Sequence, residues 1–555
     1  MPQPSAEEAN PAASAGVAWR RGAGVTLLFT GLGVYFTWPL LPQLTTHLPA
    51  HVDPPFSAWR VAWVARQIVH DPAHLFDANI FAPEPNTLAY SDAMLLQGIL
   101  GLPLLAIGVS PIALTNLFGL AGFVSSACAA YVLARRLTGH TGAGIVAGII
   151  FAFAPYRMAH LPHLELQWAQ WIPLAFWAWH RVMASNRARD GALCALFVLL
   201  QLFSSIYYGI FLALTLVIVS GATIVAARRL PGPRAIAGLA VGLAITAAAA
   251  TWYARPYEQV KAQLGERDPG ETAHYSARPI HFFTPVSGSY LYGGDPRQRS
   301  DEFTLFPGAT TLVLAGAALV PPLSPVAGPY AAGLVFTGIG AAGMNTPIYR
   351  WLREWVPPLR GLRVPARFAA VMLLMLGTLA AFGVAKAAAR WNRRPVLVTA
   401  LPIVLLVVEF SARPMESYAL SASPPPVYRW LAQQPPTTIL EMPAPTPSTL
   451  PLYDSIYMYW STWHWHTLIN GYSGHYAPRY PHLLGVLPRL DRDTVRALGT
   501  TDVKYILLHR ELFAPGKYER VTAAFELNPA FRFVTSSLDD YGEVRVYEFV
   551  GRRRR

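Results

Sequence analysis

Apolar and polar stretches alternate along most of this chain, and many of the apolar runs are long enough to cross a membrane. A transmembrane helix needs about 20 predominantly apolar residues, although tilt and packing relax this length. Eleven segments qualify, at 22–41, 111–134, 142–158, 166–183, 191–207, 209–227, 235–253, 308–323, 328–344, 368–386 and 395–411. The pattern therefore predicts an α-helical polytopic membrane protein with about 11 transmembrane helices.

Arginines and lysines in the gaps between these runs indicate the orientation of the predicted helices. They cluster at every second gap, namely at Arg20–Arg21, Arg135–Arg136, Arg181 to Arg189, Arg228 to Arg234 and Lys386 to Arg394. Short loops rich in Lys and Arg are cytoplasmic by the positive-inside rule. We therefore expect a cytoplasmic N-terminus and an extracytoplasmic C-terminus. A crossing at 93–109 would invert every later loop, so this short apolar segment is predicted to dip into the outer leaflet.

Changes in composition divide the chain into parts. The N-terminus is rich in Ala, Pro and Ser, and the chain becomes Pro-rich after Ser411. Short apolar runs beyond this point predict strands that alternate with helices. The predicted parts are a disordered cytoplasmic N-terminus (1–19), a transmembrane domain (20–411) with long first (42–110) and fourth (254–307) external loops, a linker (412–435), a small extracytoplasmic α/β domain (436–550) and a basic tail (551–555).

Composition excludes several classes of protein. With 53% hydrophobic and 14% charged residues and a mean hydropathy of +0.31, the chain is too apolar for an ordinary soluble domain. The net charge of +13 resides mainly in the cytoplasmic turns and the terminal arginines, so it does not indicate a nucleic-acid partner. Cys128 and Cys194 lie inside apolar runs and are expected to be core residues. The chain has no phosphate-loop, nucleophile-elbow or paired CxxC motif.

The first external loop carries the acidic residues Asp53, Asp77, Glu84 and Asp92. Asp53 comes about a dozen residues after the first span, just before an aromatic segment with helical spacing over 56–68. Such a segment is typical of an amphipathic helix lying on the membrane surface. A carboxylate held there could accept a proton from a sugar or lipid hydroxyl. The alternative is that Asp53 caps this helix or is solvated.

A second polar group follows the third span. His160, His163 and Glu165 lie close together around Pro162. Two histidines and a glutamate are potential metal ligands, but proline interrupts their spacing and no HExxH motif is present. Hydrogen bonding within the loop or contacts with a substrate are the favoured interpretation, and we predict no metal.

Arginines at 345–367 break the positive-inside pattern, because this segment is predicted to face outward. It contains Arg350, Arg363 and Arg367 beside Trp351 and Trp355. The planar guanidinium group suits phosphate oxygens, and tryptophan favours the headgroup region. A phosphate or pyrophosphate of a lipid-linked substrate is one interpretation. Anionic lipid headgroups or pairing with nearby acids such as Glu354 are the others.

Aromatic residues are dense over 453–480, where Trp460 and Tyr472 alternate with Asn, Ser and Asp. Sugar rings stack on aromatic faces while their hydroxyls bond to polar groups. The same composition suits a domain that rests on a membrane. Both interpretations remain open, and an aromatic surface without a basic groove does not favour nucleic acid.

Several segments together resemble a known family. "YVLARRLTG" and "GIIFAFAPYRMAHLPH", which close two predicted helices after a long outer loop with an early Asp, are similar to the bacterial GT-C glycosyltransferase superfamily. "FDANIFAPEPNTLAYSD", "TPIYRWLREWVPPLRGLRVPARF" and "STWHWHTLINGYSGHYAPRYP" are similar to YfhO-like membrane proteins with an exported C-terminal domain. The likeness extends over nearly the whole chain from Arg20 onward.

The resemblance implies a membrane glycosyltransferase of the bacterial cytoplasmic (inner) membrane. Such an enzyme moves a sugar from a polyprenyl-phosphate donor to an extracytoplasmic glycan, lipid or protein by an inverting displacement. The matching base is Asp53, and no Asp-x-Asp pair accompanies it, so no metal or other cofactor is expected. The candidate donor-phosphate ligands are Arg363, Arg367, Arg350 and Arg157. The candidate substrate ligands are Asp77, Glu84, Asp92, His160, His163, Glu165, Trp460 and Tyr472.

Two other classes of function remain as alternatives. A transporter or flippase of lipid-linked saccharides would need charged residues inside the spans and inverted repeats, and we see few of the former and no clear case of the latter. A non-catalytic scaffold for envelope assembly is the second alternative. All three functions share membrane lipids as partners, and none calls for nucleic acid.

Overall fold

The computed structural model describes residues 11–293, 301–391, 395–445, 453–539 and 542–551. Up to residue 410 the described chain is mostly helical. In chain order these helices are α1 (Pro11–Phe36), α2 (Asp53–His70), α3 (Leu95–Ala106), α4 (Pro111–Thr138), α5 (Thr141–Phe153), α6 (Pro155–Ala159), α7 (Leu164–Gln167), α8 (Trp171–Ala184), α9 (Ala188–Ser204), α10 (Ile206–Ala227), α11 (Pro233–Leu264), α12 (Pro269–His274), α13 (Ala309–Ala318), α14 (Ala327–Ala342), α15 (Pro347–Trp355), α16 (Ala369–Arg390) and α17 (Pro395–Phe410).

Helices occupy all eleven apolar segments identified in the sequence. Within the described residues, five stretches are long and apolar enough to cross a membrane, namely Pro111–Thr138, Thr141–Ala159, Ile206–Ala227, Pro233–Leu264 and Pro365–Arg390. In the apolar window of Pro365–Arg390 94% of the residues are buried, whereas in that of α11 only 11% are buried. Apolar side chains on α11, such as Val241 and Ile245, are exposed and suited to lipid.

The fold class is thus confirmed as a helical membrane protein with a small α/β domain at the C-terminal end. The number of crossings and their orientation stay predictions. One boundary differs from expectation: α1 begins at Pro11, so residues 11–19 are helical rather than disordered, while residues 1–10 lie outside the described part. The chain's own helix propensity explains this, because alanine is abundant in that stretch.

The segment predicted to dip into the membrane forms α3, which has only 12 residues. At 1.5 Å per residue this is about 18 Å, shorter than a hydrocarbon core of about 30 Å. Gly98 and Gly101 let α3 pack tightly on α2, since an added Cβ at Gly98 would lie 2.3 Å from Val64. A short helix held by α2 is compatible with the predicted dip.

The helix α2 differs from its sequence-based description. Instead of lying on the membrane surface, it is buried along nearly its whole length. Its aromatic side chains, including Trp59 and Trp63, join one hydrophobic cluster with residues of the C-terminal domain such as Trp460 and Ile439. The aromatic face is therefore covered by protein.

The C-terminal domain is built on a five-stranded mixed sheet in the order β4 (Thr467–Leu468), β3 (Thr438–Met442), β5 (Val503–His509), β7 (Gly542–Phe549) and β6 (Phe531–Asp539). The strands β4, β3 and β5 are parallel, and β7 pairs antiparallel with both β5 and β6. Its described elements are α18 (Pro426–Leu431), β3 (Thr438–Met442), α19 (Asp454–Ser461), β4 (Thr467–Leu468), α20 (Tyr480–Val486), α21 (Arg492–Leu498), β5 (Val503–His509), α22 (Lys517–Leu527), β6 (Phe531–Asp539) and β7 (Gly542–Phe549).

Two short strands join this domain to the transmembrane part. β1 (His47–Pro49) follows α1, and β2 (Ser417–Ala419) follows α17, and they pair antiparallel. Part of the predicted linker, 412–435, is therefore ordered. This pairing and the shared hydrophobic cluster hold the C-terminal domain against α2, where the candidate site lies.

Candidate functional site

Asp53 is the first residue of α2 and lies at the junction of the transmembrane part and the C-terminal domain. Pro54 and Pro55 follow it, and proline in the first turn suits a helix start because it lacks an N–H to satisfy. The N-cap residue is Val52 and Asp53 takes the first helical position, so the sequence alternative of a capping Asp53 is not what the structure has. The Asp53 residue is only 8% exposed.

Three side chains converge on the Asp53 carboxylate. Its Oδ2 lies 2.8 Å from Nδ1 of His163 and 3.2 Å from Nδ1 of His51. Its Oδ1 accepts a hydrogen bond of 2.8 Å from the hydroxyl of Tyr472, which is 419 residues away in the sequence. Both oxygens therefore have partners, and one partner comes from the C-terminal domain. We call Asp53, His51, His163 and Tyr472 the Asp53 cluster.

The electrostatics of the Asp53 cluster favour an ionised carboxylate beside a basic imidazole. Burial raises the pKa of Asp53, but the adjacent His163 and His51 outweigh burial and hold that pKa well below its ordinary value. Burial lowers the pKa of His163, yet the Asp53 carboxylate outweighs it and the net shift is upward. Burial and the same carboxylate raise the pKa of the Tyr472 hydroxyl, which therefore stays a hydrogen-bond donor.

The geometry also defines the protonation of the imidazoles. Nδ1 of His163 lies at hydrogen-bond distance from a carboxylate oxygen, so it carries the proton and donates it. Nδ1 of His51 lies 3.2 Å from both the backbone nitrogen and Oδ2 of Asp53, so it accepts from the former when unprotonated and donates to the latter when protonated. Among the described residues, Nε2 of His163 has no recorded hydrogen-bond partner. This nitrogen is therefore able to accept a proton.

The same residues could hold a metal ion. Ligand atoms of His51, Asp53 and His163 all lie within 4.8 Å of one another. Two imidazoles and one carboxylate are a common donor set for a transition metal. Binding through Nδ1 of His163 would require that nitrogen to lose its proton. A metal and the hydrogen bond from His163 to Asp53 therefore exclude each other.

A buried ion pair lies beside the Asp53 cluster. Arg60 on α2 donates to Glu165 Oε2 at 3.1 Å and to the carbonyl of Asp92 at 2.8 Å. The Asp92 carboxylate accepts from the backbone N–H of Ile206 at 2.7 Å, at the N-terminus of α10. Burial, followed by the nearby Glu165, raises the pKa of Asp92 to about 7. Asp92 and Glu165 thus join α2 to α7 and α10.

A third group connects His160 to an arginine. Glu302 Oε1 accepts two hydrogen bonds from Arg367, from Nε at 2.9 Å and from Nη2 at 2.6 Å. Its Oε2 lies 3.0 Å from Nε2 of His160. Burial raises the pKa of Glu302, but Arg367 and His160 outweigh it and keep the carboxyl ionised. The His160 and His163 rings lie 5.8 Å apart, which brings this group next to the Asp53 cluster.

Arg363 belongs to a neighbouring, more open basic group. Glu271 lies 3.5 Å from Arg363 and 3.9 Å from Arg267, so two arginines share one carboxylate. The hydroxyl of Tyr207 accepts from the backbone N–H of Arg363 at 2.8 Å, and the Arg367 guanidinium lies 5.0 Å from the same ring. Arg363 and Arg367 therefore flank Tyr207, and Arg363 is close enough to Tyr472 to lower its pKa against the larger effect of burial.

Other predicted site residues lie apart from these groups. Arg157 donates through both terminal nitrogens to the backbone carbonyls of Leu166 and Gln167, so it holds α7 in place. Four further predicted residues have other surroundings. Arg350 is exposed on α15, and the carboxylate of Asp77 accepts from the backbone N–H of Asn86. Glu84 lies 3.9 Å from Arg479, and Trp460 is buried against Tyr428.

Sequence reasoning missed four residues of this region. Arg60 lies seven positions after Asp53, which is a helical spacing that could have indicated a shared face. No sequence interval typical of a helix or strand relates His51 or Arg267 to the other site residues. Glu302 was also missed; its contacts are with Arg367 and His160.

Comparisons with known proteins give structural likenesses only. No protein-family model matches the chain, and no curated protein matches it. Archaeal oligosaccharyltransferase AglB from Archaeoglobus fulgidus, in complex with an inhibitory peptide and a dolichol-phosphate, shares 12% identity over 94% of this chain and 74% of that chain, with a TM-score of 0.47.

Two further solved structures are similar in the same sense. The Archaeoglobus fulgidus oligosaccharyltransferase tethered with an acceptor peptide shares 13% identity over 93% of this chain and 73% of that chain, with a TM-score of 0.42. ArnT from Cupriavidus metallidurans in the apo state shares 12% identity over 96% of this chain and 99% of that chain, with a TM-score of 0.49. All three TM-scores are below 0.5.

Proposed function

We propose that this chain is a membrane glycosyltransferase that moves a sugar from a polyprenyl-phosphate donor to an extracytoplasmic glycan, lipid or protein. The observation that carries the proposal is the Asp53 cluster, in which a buried carboxylate and a basic imidazole lie beside two arginines at the end of a helical bundle. Proton acceptors next to phosphate ligands are what such a transfer needs. We place the protein in a bacterial cytoplasmic membrane, with this cluster on the outer side.

The acceptor is activated by Asp53 and His163 acting together. Both Asp53 oxygens are occupied and its pKa is low, which makes the lone carboxylate a weak base. His163 donates through Nδ1 to Asp53, and its Nε2 takes the proton of the acceptor hydroxyl. The carboxylate fixes the imidazole orientation and stabilises the imidazolium that forms. This refines the sequence prediction, which assigns the proton to Asp53 alone.

The donor phosphate is held by Arg363 and Arg367, with Arg267 as a third cation. Glu271 pairs with Arg363 at 3.5 Å in a partly exposed geometry, so a phosphate can replace it at small cost. Glu302 keeps Arg367 oriented beside Tyr207. Positive charge here stabilises the negative charge that grows on the departing phosphate.

The reaction is a single displacement with inversion. The acceptor oxygen forms a bond to the anomeric carbon of the sugar as its proton passes to His163. The bond between that carbon and the phosphate oxygen breaks, and polyprenyl phosphate leaves with the bonding electrons. Glu165, which borders the cluster, is suited to accept hydrogen bonds from sugar hydroxyls, whereas both ring nitrogens of His160 are already taken by the Tyr156 carbonyl and the Glu302 carboxylate.

Transfer in membranes tests the proposal. Membranes that contain the chain are supplied with polyprenyl-phosphate-linked sugars and a cell-envelope extract, and labelled product is counted. We expect Asp53→Asn to lower transfer by about 100-fold or more, because one carboxylate supports the acid–base step. Asp77→Asn, at an acid of the same external segment whose carboxylate accepts from the backbone N–H of Asn86, is the matched control and should retain transfer. Equal transfer by Asp53→Asn and wild type would refute the proposed role of the cluster.

A further inference from the structure

A large cleft separates the tip of the first external segment from two helices of the C-terminal domain. Its volume is about 930 Å³, and it is lined by residues 81–84 on one side and by residues of α20 and α21 on the other. Ligand sites commonly have volumes of about 300–1,000 Å³ and form where domains meet. No member of the Asp53 cluster is among the lining residues, so this is a separate concavity.

The cleft is nevertheless next to the Asp53 cluster. Ile469 lines the cleft, and Tyr472, three residues later, binds Asp53. Gly471 between them lies against the Phe81 ring, where an added Cβ would be 2.7 Å away. The segment after β4 therefore forms a thin wall with the cleft on one side and the cluster on the other.

The lining combines apolar rings with basic groups. Phe81 and Tyr480 provide buried rings, and Pro83, Pro478 and Pro481 expose apolar edges. The cations are Arg479, Arg489 and Arg496, accompanied by His482. Apolar edges suit the C–H faces of sugar rings, as aromatic rings do.

The two acids of the cleft do not balance its arginines. Asp493 pairs with Arg496 at 2.9 Å, whereas Glu84 lies 3.9 Å from Arg479 and leaves that guanidinium partly free. Arg489 lies near Asp491, whose carboxylate already accepts from the backbone N–H groups of Asp493 and Thr494. Arg479 and Arg489 are therefore the cations available to a ligand, and Glu84 can accept hydrogen bonds from hydroxyls.

We infer that this cleft binds an acidic oligosaccharide, one whose sugar rings carry carboxylates such as those of uronic acids. The sugar ring faces lie on the exposed prolines, the carboxylates pair with Arg479 and Arg489, and ring hydroxyls donate to Glu84. An acidic peptide would satisfy the arginines but has few hydroxyls for Glu84. This inference goes beyond the proposed transfer reaction, because binding in the cleft requires no chemistry at Asp53.

Direct binding to the full-length protein in detergent tests the inference. Calorimetric titration with tetragalacturonate, compared with the neutral cellotetraose, measures the contribution of the carboxylates. We expect wild type to bind the acidic tetramer at least tenfold more tightly. Arg479→Gln and Arg489→Gln should each weaken its binding by about tenfold, since one charge-assisted hydrogen bond is lost. Arg520→Gln, an exposed arginine on α22 outside the cleft, is the matched control and should bind as wild type does.

A cleft-filling variant locates the binding. An added Cβ at Gly485 meets nothing within 4 Å, and this residue lines the cleft, so Gly485→Trp is expected to fold and to abolish binding. Thermal unfolding of each variant verifies its fold. Equal affinity for the acidic and neutral tetramers, unchanged binding by Gly485→Trp, or no binding by wild type would each overturn the inference. Loss of transfer by Asp53→Asn without loss of tetragalacturonate binding would separate the two sites.

Discussion

At the scale of residues, the chemistry of this chain depends on the pairing of Asp53 with His163. Asp53 alone is a poor proton acceptor, because its pKa lies well below the ordinary value and both of its oxygens have partners. His163 gains basicity from the same contact. Tyr472 occupies the remaining oxygen, so a residue of the C-terminal domain completes the cluster.

Removal of metal distinguishes whether His51, Asp53 and His163 serve proton transfer or metal binding. We expect chelation with EDTA to leave the rate of transfer unchanged, because Nδ1 of His163 holds a proton and donates to Asp53. Excess Zn²⁺ should inhibit, since zinc competes for His51, Asp53 and His163. The measurement is the transfer rate across a titration of each reagent. Loss of transfer in EDTA that Mn²⁺ or Mg²⁺ restores would contradict the proton-based account.

At the scale of elements, close packing of α4 against α7 positions the residues around the cluster. An added Cβ at Gly122 would lie 2.8 Å from the carbonyl oxygen of Gln167 in α7. His163 precedes α7, Glu165 lies within it, and Arg157 holds it through two backbone carbonyls. A small displacement of α7 therefore moves the side chains that face Asp53 and Arg60.

Gly122→Ala tests this connection. The added methyl group should push α7 away from α4, lower transfer by about tenfold or more, and cost about 1–3 kcal/mol of stability, as overpacking does. Gly119→Ala, on the same helix with nothing within 4 Å of the added Cβ, is the control and should match wild type. The measurements are transfer rate and thermal unfolding. Identical behaviour of the two variants would show that this contact does not position the site.

The elements themselves could be predicted far better than the site. Long apolar runs predicted the helices, because hydrophobicity alone selects them, and short apolar runs predicted strands in the C-terminal domain. Asp53, His163 and Tyr472 were each identified, but their convergence depends on contacts across 419 residues that no local spacing encodes. Glu302 and Arg267 were missed since they lie in a long loop without periodicity. The sequence suggested Arg157 as a phosphate ligand, and only the structure shows that its guanidinium nitrogens donate to backbone carbonyls.

At the scale of the whole molecule, the transmembrane part and the C-terminal domain share one core. Phe56, Trp59 and Trp63 on α2 belong to the same hydrophobic cluster as Ile439 and Leu507 of the sheet. The pairing of β1 with β2 adds backbone hydrogen bonds to this junction. The C-terminal domain is therefore part of the site rather than an appended module.

Labelling of single cysteines tests the proposed orientation. With Cys128→Ala and Cys194→Ala as background, Arg520→Cys on α22 should react with a membrane-impermeant maleimide in intact spheroplasts. Arg187→Cys, in a gap predicted to be cytoplasmic, should react only after the membrane is opened. Both positions are exposed, so accessibility within the fold is matched. The reverse pattern would place the Asp53 cluster on the wrong side for an extracytoplasmic acceptor.

The pH dependence of transfer tests the central claim most directly, namely that Asp53 and His163 jointly accept the acceptor proton. The raised pKa of His163 means that transfer should fall as pH drops through a value above 6.5, the ordinary pKa of histidine, because Nε2 must be unprotonated to act. In Asp53→Asn the remaining transfer should be slow, and its falling limb should move to lower pH, since the carboxylate no longer raises the pKa of His163. In His163→Gln the fall of the transfer rate at low pH should disappear, and most of the transfer rate should be lost with it. A wild-type limb below about pH 4, retained in His163→Gln, would contradict the account and assign the proton to Asp53 alone.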